Sequence, residues 1–198
     1  MGFFDAALFD GKTFTGWTTA SGKPVGEGWE VTPAGEIHCL GRNKGDIVTE
    51  RDYLNFDLSF AWKIAPKANG GLKYRWGRYG TQQIGIEYQL LDDPQSRDSG
   101  KHATASLYDL IPPDPRLRVR PAREWNQSRV LARGARIEHW LNGKRAASAE
   151  LDKPDWRVAL AASKFKDAPD FGTLPGRILL QDHGGETWFR DLRLRERG

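Results

Sequence analysis

Along most of the chain, apolar residues recur at every second position in short runs closed by turn-forming residues. In GIEYQLLDD, Gly85 to Asp93, Ile86, Tyr88 and Leu90 alternate with Glu87, Gln89 and Leu91, the two-residue period of a strand with one face on a core. Similar runs are GWEVTPAGEIHCL, IVTERDYLNFDLSFAWKI, LKYRWGRYG, TASLYDLI, SRVLARGARIEHWLNGKRAA, RILLQ and TWFRDLRLRE. Turn chemistry separates them: Pro33-Ala34-Gly35, Asn69-Gly70-Gly71, Asn142-Gly143 and Gly184-Gly185 all favour chain reversal. Val130 to Leu151 holds two such turns between three alternating runs and reads as a β-meander. No stretch sustains a helical period. The pattern predicts an all-β protein, a sandwich or jelly roll of antiparallel strands.

Composition changes this picture little. The 198 residues suit one domain spanning 1–198, with no linker or composition shift to divide it. A formal charge of +4 raises the question of nucleic acid. The arginines are scattered, however, and from Arg116 to Arg120 they alternate with apolar residues as on a wet strand face, so no nucleic-acid partner is predicted. Cys39, the single cysteine, rules out an internal disulfide and a cysteine zinc site, and beside Ile37 it reads as a small buried hydrophobe. HxH, HExxH and EF-hand spacings are absent, so neither metal nor cofactor is assigned, although Asp92, Asp93 and Asp98 could contribute to a structural calcium site. The start, MGFFDAALFDG, has no leader pattern, Ala6 breaks the myristoylation pattern, and no run is long enough to span a membrane. As it stands the chain reads as cytoplasmic; a trimmed leader ahead of Met-Gly would make it periplasmic or secreted. No oligomeric state is assigned.

A set of phrases in fixed order carries a family resemblance: LFDGKTFTGW, GDIVTERDYLNFDLSFAWKI, ANGGLKYRW, GIEYQLLDD, SLYDLIPP, REWN, IEHWLNG, SKFK, FG and GRILLQDHGGETWFRDLRLRE. Together, over about residues 8–197, they resemble the domain once catalogued as unknown function 1080 (DUF1080) and now called the 3-keto-disaccharide (3-keto-glycoside) hydrolase domain. The resemblance implies a concanavalin A-like jelly roll of two curved sheets, with ligand on the concave side. The chain departs from the family at Asn69-Gly70-Gly71, where Asn-Ser-Gly is usual, and at Ala61, where relatives often carry Glu. It also departs at Arg190-Asp191, where Arg-Asn is usual, and in the Pro94 to Arg97 loop, which lacks a histidine.

The implied activity is cleavage of 3-keto-glycosides in carbohydrate catabolism, on sugars oxidised by a separate sugar 3-dehydrogenase. Such chemistry requires a base for the proton on carbon 2, a donor for the enolate oxygen and an acid for the leaving oxygen. Alternation supplies candidates. Lys73 and Arg75 share a face opposite Leu72, Tyr74 and Trp76; Glu87 and Gln89 share another; His102, Thr104, Ser106 and Tyr108 share a third. If these runs lie in one sheet, they converge on a cleft. Glu87, given a raised pKa, or His102, nearer neutrality, would be the base, with Lys73 or Arg75 at the enolate and the other of Glu87 and His102, or Tyr108, as acid. Gln89, Asp92, Trp125, Lys164, Gln181 and His183 complete the predicted substrate-binding set.

Blander readings stand beside these. Lys73, Arg75 and Glu87 could form an exposed cross-strand ion-pair ladder. His102 could be a surface-loop residue, His183 a hairpin cap, Asp92 a loop holder and Trp125 a core anchor, while His38 and His139 read as packing residues. At the level of function the alternatives are a non-catalytic carbohydrate-binding module on the same jelly roll and a structural domain with no sugar site.

Overall fold

The computed structural model describes residues 5–93, 96 and 98–197. Pro94, Gln95 and Arg97, which make up most of the loop after Asp92, lie outside the described residues, as do residues 1–4 at the Met-Gly start and Gly198. The alternating runs pair into two antiparallel sheets. The larger is eight-stranded, in the order β11 (Lys144–Glu150), β10 (Arg136–Leu141), β9 (Asn126–Arg133), β6 (Phe56–Ile64), β13 (Glu186–Glu196), β4 (Ile37–Leu40), β3 (Trp29–Val31), with β1 (Asp5–Ala7) also on β13. The smaller runs β2 (Trp17–Thr19), β5 (Ile47–Thr49), β12 (Arg177–Leu180), β7 (Asn69–Tyr79), β8 (Gln82–Leu91). This is the jelly-roll sandwich that the alternation predicts.

Two-residue periodicity decides which side chains meet between the sheets. Phe56, Leu58, Phe60 and Trp62 of β6 pack toward Leu72 and Tyr74 of β7 and Ile86, Tyr88 and Leu90 of β8, all fully buried. Burying each such side chain contributes about 1.5–3 kcal/mol. A polar network crosses this interior. The ring nitrogen Nδ1 of His139 faces the carbonyls of Ala105 and Ser106 at 3.2 and 3.1 Å, so it carries the hydrogen. Its Nε2 then accepts from the Tyr74 hydroxyl at 2.8 Å. Burial pushes the His139 pKa down to about 4 and keeps the ring neutral. Nearby, Ser128 Oγ accepts from Trp62 Nε1 and pairs with the Tyr88 hydroxyl, each at 2.8 Å. Cys39 is buried with its thiol pKa pushed up to about 12 by burial, a packing role.

Three local expectations are corrected. TASLYDLI is not a strand. A 3-10 turn covers Gly100–His102, and beyond it the segment makes only isolated bridges, Leu107 to Tyr88 and Leu107 to Ile111. Ala105 and Asp109 take left-handed backbone conformations, φ 65° and 64°, which break the alternation that placed His102 and Tyr108 on one face. Asn69-Gly70-Gly71 opens β7 rather than turning the chain. One helix, α1 (Pro154–Ala161), was missed: it is only two turns long, with Pro154 in its first turn and Trp156 and Leu160 buried four residues apart. The Asn142-Gly143 reversal is as expected, at φ 48° and 80° between β10 and β11.

Candidate active site

The face of the smaller sheet turned away from the core carries a charged cavity of about 80 Å³, lined by Asn69, Lys73, Glu87, Gln89, Tyr108, Lys164, Gln181 and His183. Strand pairing builds it. On β7 and β8, Lys73 stands opposite Glu87 and Gly71 opposite Gln89, while β12 leads Gln181 in beside Gly71, whose carbonyl accepts from the Gln181 amide at 3.0 Å. A Cβ at Gly71 would collide with Glu87 Oε1 and lie 3.2 Å from Gln181 Oε1, so any other residue there would have to displace the carboxylate. Of the two glycines read as a turn, Gly71 therefore clears space beside the Glu87 carboxylate.

Glu87 is only 5% exposed. Lys73 Nζ stands 3.8 Å from Glu87 Oε2, an ion pair beyond hydrogen-bond length, and no side chain among the described residues hydrogen-bonds the carboxylate. Burial raises the Glu87 pKa above its ordinary value, with Lys73, Lys164 and His183 opposing and Asp46 adding to the rise. Lys164 enters from the segment after α1. Its Nζ lies 4.3 Å from the centre of the Tyr108 ring, and its pKa is lowered, first by the surrounding protein and then by Lys73. Tyr108 is raised by burial and by Glu87. Gln89 Nε2 donates to Asn69 Oδ1 at 3.1 Å, whereas Gln181 Oε1 is buried with no hydrogen-bond partner. A partnerless buried acceptor on a cavity wall suits a ligand donor. The arrangement offers a buried base, two ammonium groups, a phenol and an imidazole around one small space.

Lys73, Glu87, Gln89, Tyr108, Lys164, Gln181 and His183 thus meet as the sequence predicts; four other predicted residues do not. Arg75 leaves the face of Lys73 because β7 bulges between Tyr74 and Gly77 and Arg75 turns to φ 47°. Fully buried, it donates to the carbonyls of Leu54, Gly172 and Gly134 at 2.6–3.0 Å and ties three segments together. His102 stands behind Tyr108, ring centres 5.0 Å apart, with Nε2 on Asp109 Oδ1 at 2.9 Å. The same Asp109 accepts from the Lys164 amide at 2.7 Å, and its pKa is held at about 2: the hydrogen bonds from Lys101, Lys164 and His102 outweigh burial. Asp92 accepts from the Lys67 amide at 2.9 Å, the loop-holding alternative. Trp125 lies over the other sheet, under Lys63 and Arg190 at 4.5 and 4.1 Å.

Asn69 and Asp46 were missed. The Asn-Gly-Gly composition points Asn69 to a turn instead. Asp46, whose pKa is raised by burial and lowered by Lys73, holds the Asp182 amide at 2.9 Å from a segment with no chemical motif.

Over an alignment of 223 positions the chain is 29% identical to the 3-keto-disaccharide hydrolase of Bacteroides thetaiotaomicron, covering 95% of this chain and 77% of that protein. A crystal structure of a candidate glycosyl hydrolase from Parabacteroides distasonis superposes with a TM-score of 0.86 at 31% identity, over 98% of this chain and 94% of that one. The Bacillus licheniformis β-glucanase shares the fold alone, with a TM-score of 0.56 at 13% identity over 100% of this chain and 99% of that one. The sequence profile of the 3-keto-alpha-glucoside-1,2-lyase-like domain matches residues 5–195, and the chain belongs to that family.

Proposed function

We propose that the protein cleaves 3-keto-glycosides, with Glu87 as the base. The observation that carries this reading is the buried Glu87 carboxylate of raised pKa, facing a small cavity with Lys73 only 3.8 Å away. A ketone at carbon 3 acidifies the hydrogen on carbon 2. Glu87 takes that proton, and the electrons of the broken bond move onto the ketone oxygen as an enolate. Lys73 and Lys164, both on the cavity wall, stabilise that charge. The enolate then collapses to a carbon 1–carbon 2 double bond and expels the glycosidic oxygen, which receives a proton from His183 or Tyr108. Water adds to carbon 1, a proton returns to carbon 2, and the 3-keto sugar is released. The ketone must be supplied by an oxidation of the class catalysed by sugar 3-dehydrogenases. Ordinary glycosidases need two carboxylates flanking an oxocarbenium-like transition state, a pair that the residues lining this cavity do not include.

The test is incubation with a 3-keto-disaccharide beside its unoxidised parent. Release from the ketone only is expected; release from neither points to a binding module, and release from both overturns the enolate route. Glu87→Gln should keep the fold and lower kcat/KM roughly 10²- to 10⁴-fold. Full turnover by that variant removes Glu87 from the mechanism.

A further inference from the structure

The charged cavity is too small to enclose a glycoside. Its 80 Å³ compares with the roughly 300–1,000 Å³ of ordinary ligand pockets. A second cleft of about 470 Å³ adjoins it, lined by residues 65–69 and 183–186. Asn69 and His183 line both spaces and so form the shared wall. The new cleft is built from two abutting turns. Gly185 permits their approach, since a Cβ there would stand 2.5 Å from the Cβ of Ala68. On its rim Lys67 is held at φ 62°, in left-handed backbone, and the buried Asp92 carboxylate fixes it through the Lys67 amide. Lys67 is exposed, and across the cleft the half-buried Glu186 bears on His38 through one carboxylate oxygen, 3.2 Å from Nε2. Among the described residues, no aromatic ring lines the cleft apart from the His183 imidazole.

Building on the proposed ketone chemistry, we propose that this cleft is the leaving-group subsite. It takes a hydroxyl-rich, sugar-like group instead of a flat aromatic one, with Lys67 and Glu186 as its hydrogen-bonding rim. An aromatic aglycone would call for a stacking platform, whereas ring hydroxyls call for charged and amide partners. The scissile oxygen then lies at the shared wall, where His183 rather than Tyr108 meets it and delivers the proton to the departing group.

The experiment compares a 3-keto-disaccharide with the methyl 3-keto-glucoside, which has no second ring. Loss of one charged hydrogen bond is worth about 1.5–3 kcal/mol, tenfold or more. Lys67→Ala should therefore lower the kcat/KM ratio of disaccharide to methyl glycoside about tenfold, through KM more than kcat. An unchanged ratio overturns the subsite. His183→Asn should lower kcat most for the disaccharide, whose sugar alkoxide needs the proton, and least for a 3-keto glycoside with an acidic nitrophenol leaving group. Equal losses on both overturn the assignment of His183. Calorimetric binding of the two ketones in the Glu87→Gln background keeps the tests separate. There Lys67→Ala should weaken the disaccharide selectively even if the reaction itself were otherwise assigned, and an equal or absent effect on both ketones overturns the subsite alone.

Discussion

At the scale of single residues, the site rests on a carboxylate held where charge is disfavoured and on cations that partly compensate. Glu87 is the side chain most legible from sequence, because strict alternation in β8 forces residue 87 away from the core face of Ile86 and Tyr88. Its strength as a base follows from how its surroundings divide: burial raises the pKa while Lys73, Lys164 and His183 lower it. The pH dependence of kcat/KM should rise through the Glu87 pKa, above the ordinary 4.5 of a glutamate. Lys164→Met keeps much of the side-chain stem and removes one cation that favours the ionised form. The acid limb of the profile should move to higher pH in that variant. A limb that stays in place would assign the titration to another group. Arg75 was the misleading residue. Its type and spacing suited an anion site, but a single left-handed φ reverses its direction, and neither composition nor periodicity foretells that.

At the scale of elements, β7 is where local sequence and site are most tightly linked. Its first three residues, Asn-Gly-Gly, have the composition of a turn but pair in register with Leu91, Leu90 and Gln89 of β8. The missing side chains serve packing: Gly70 leaves room for Thr187 Oγ1, and Gly71 for the carboxylate of Glu87. Gly71→Ala should displace Glu87 and lower kcat/KM about 100-fold, the scale expected when a reacting group moves by about 1 Å. Measuring the thermal midpoint alongside would separate that displacement from unfolding; an active variant would show that Glu87 need not sit against β7. The segment from Gly100 to Asp109 was misread for a related reason. Alternating residue types suggested a strand, yet two left-handed residues and a 3-10 turn fold it into a brace. The brace puts Tyr108 on the cavity wall and His102 behind it.

At the scale of the whole molecule, the sandwich follows from alternation and turn residues, and its stability should carry the signature of the buried imidazole. His139 titrates at about 4 when folded and ordinarily at 6.5, so the unfolded chain binds more protons between those values. Unfolding free energy should therefore fall as pH drops from about 6.5 to about 4, by up to about 3 kcal/mol from this group. Asp109, held at about 2 against an ordinary 3.8, loses its contribution only below that window. Urea midpoints for wild type and His139→Gln across pH 4–7 would test this, the variant showing the shallower slope. Had His139 been protonated and paired in the folded state, the slope would be reversed. The division of labour between strands and turns has a practical consequence. The proposed base and one of its cations sit on hydrogen-bonded strands, whereas the neighbouring cleft is walled by two short reversals. Grafting different reversals onto an untouched sheet is thus a route to altered selectivity, and protein engineers could diversify positions 65–68 and 184–185 in a library while leaving the reactive centre constant.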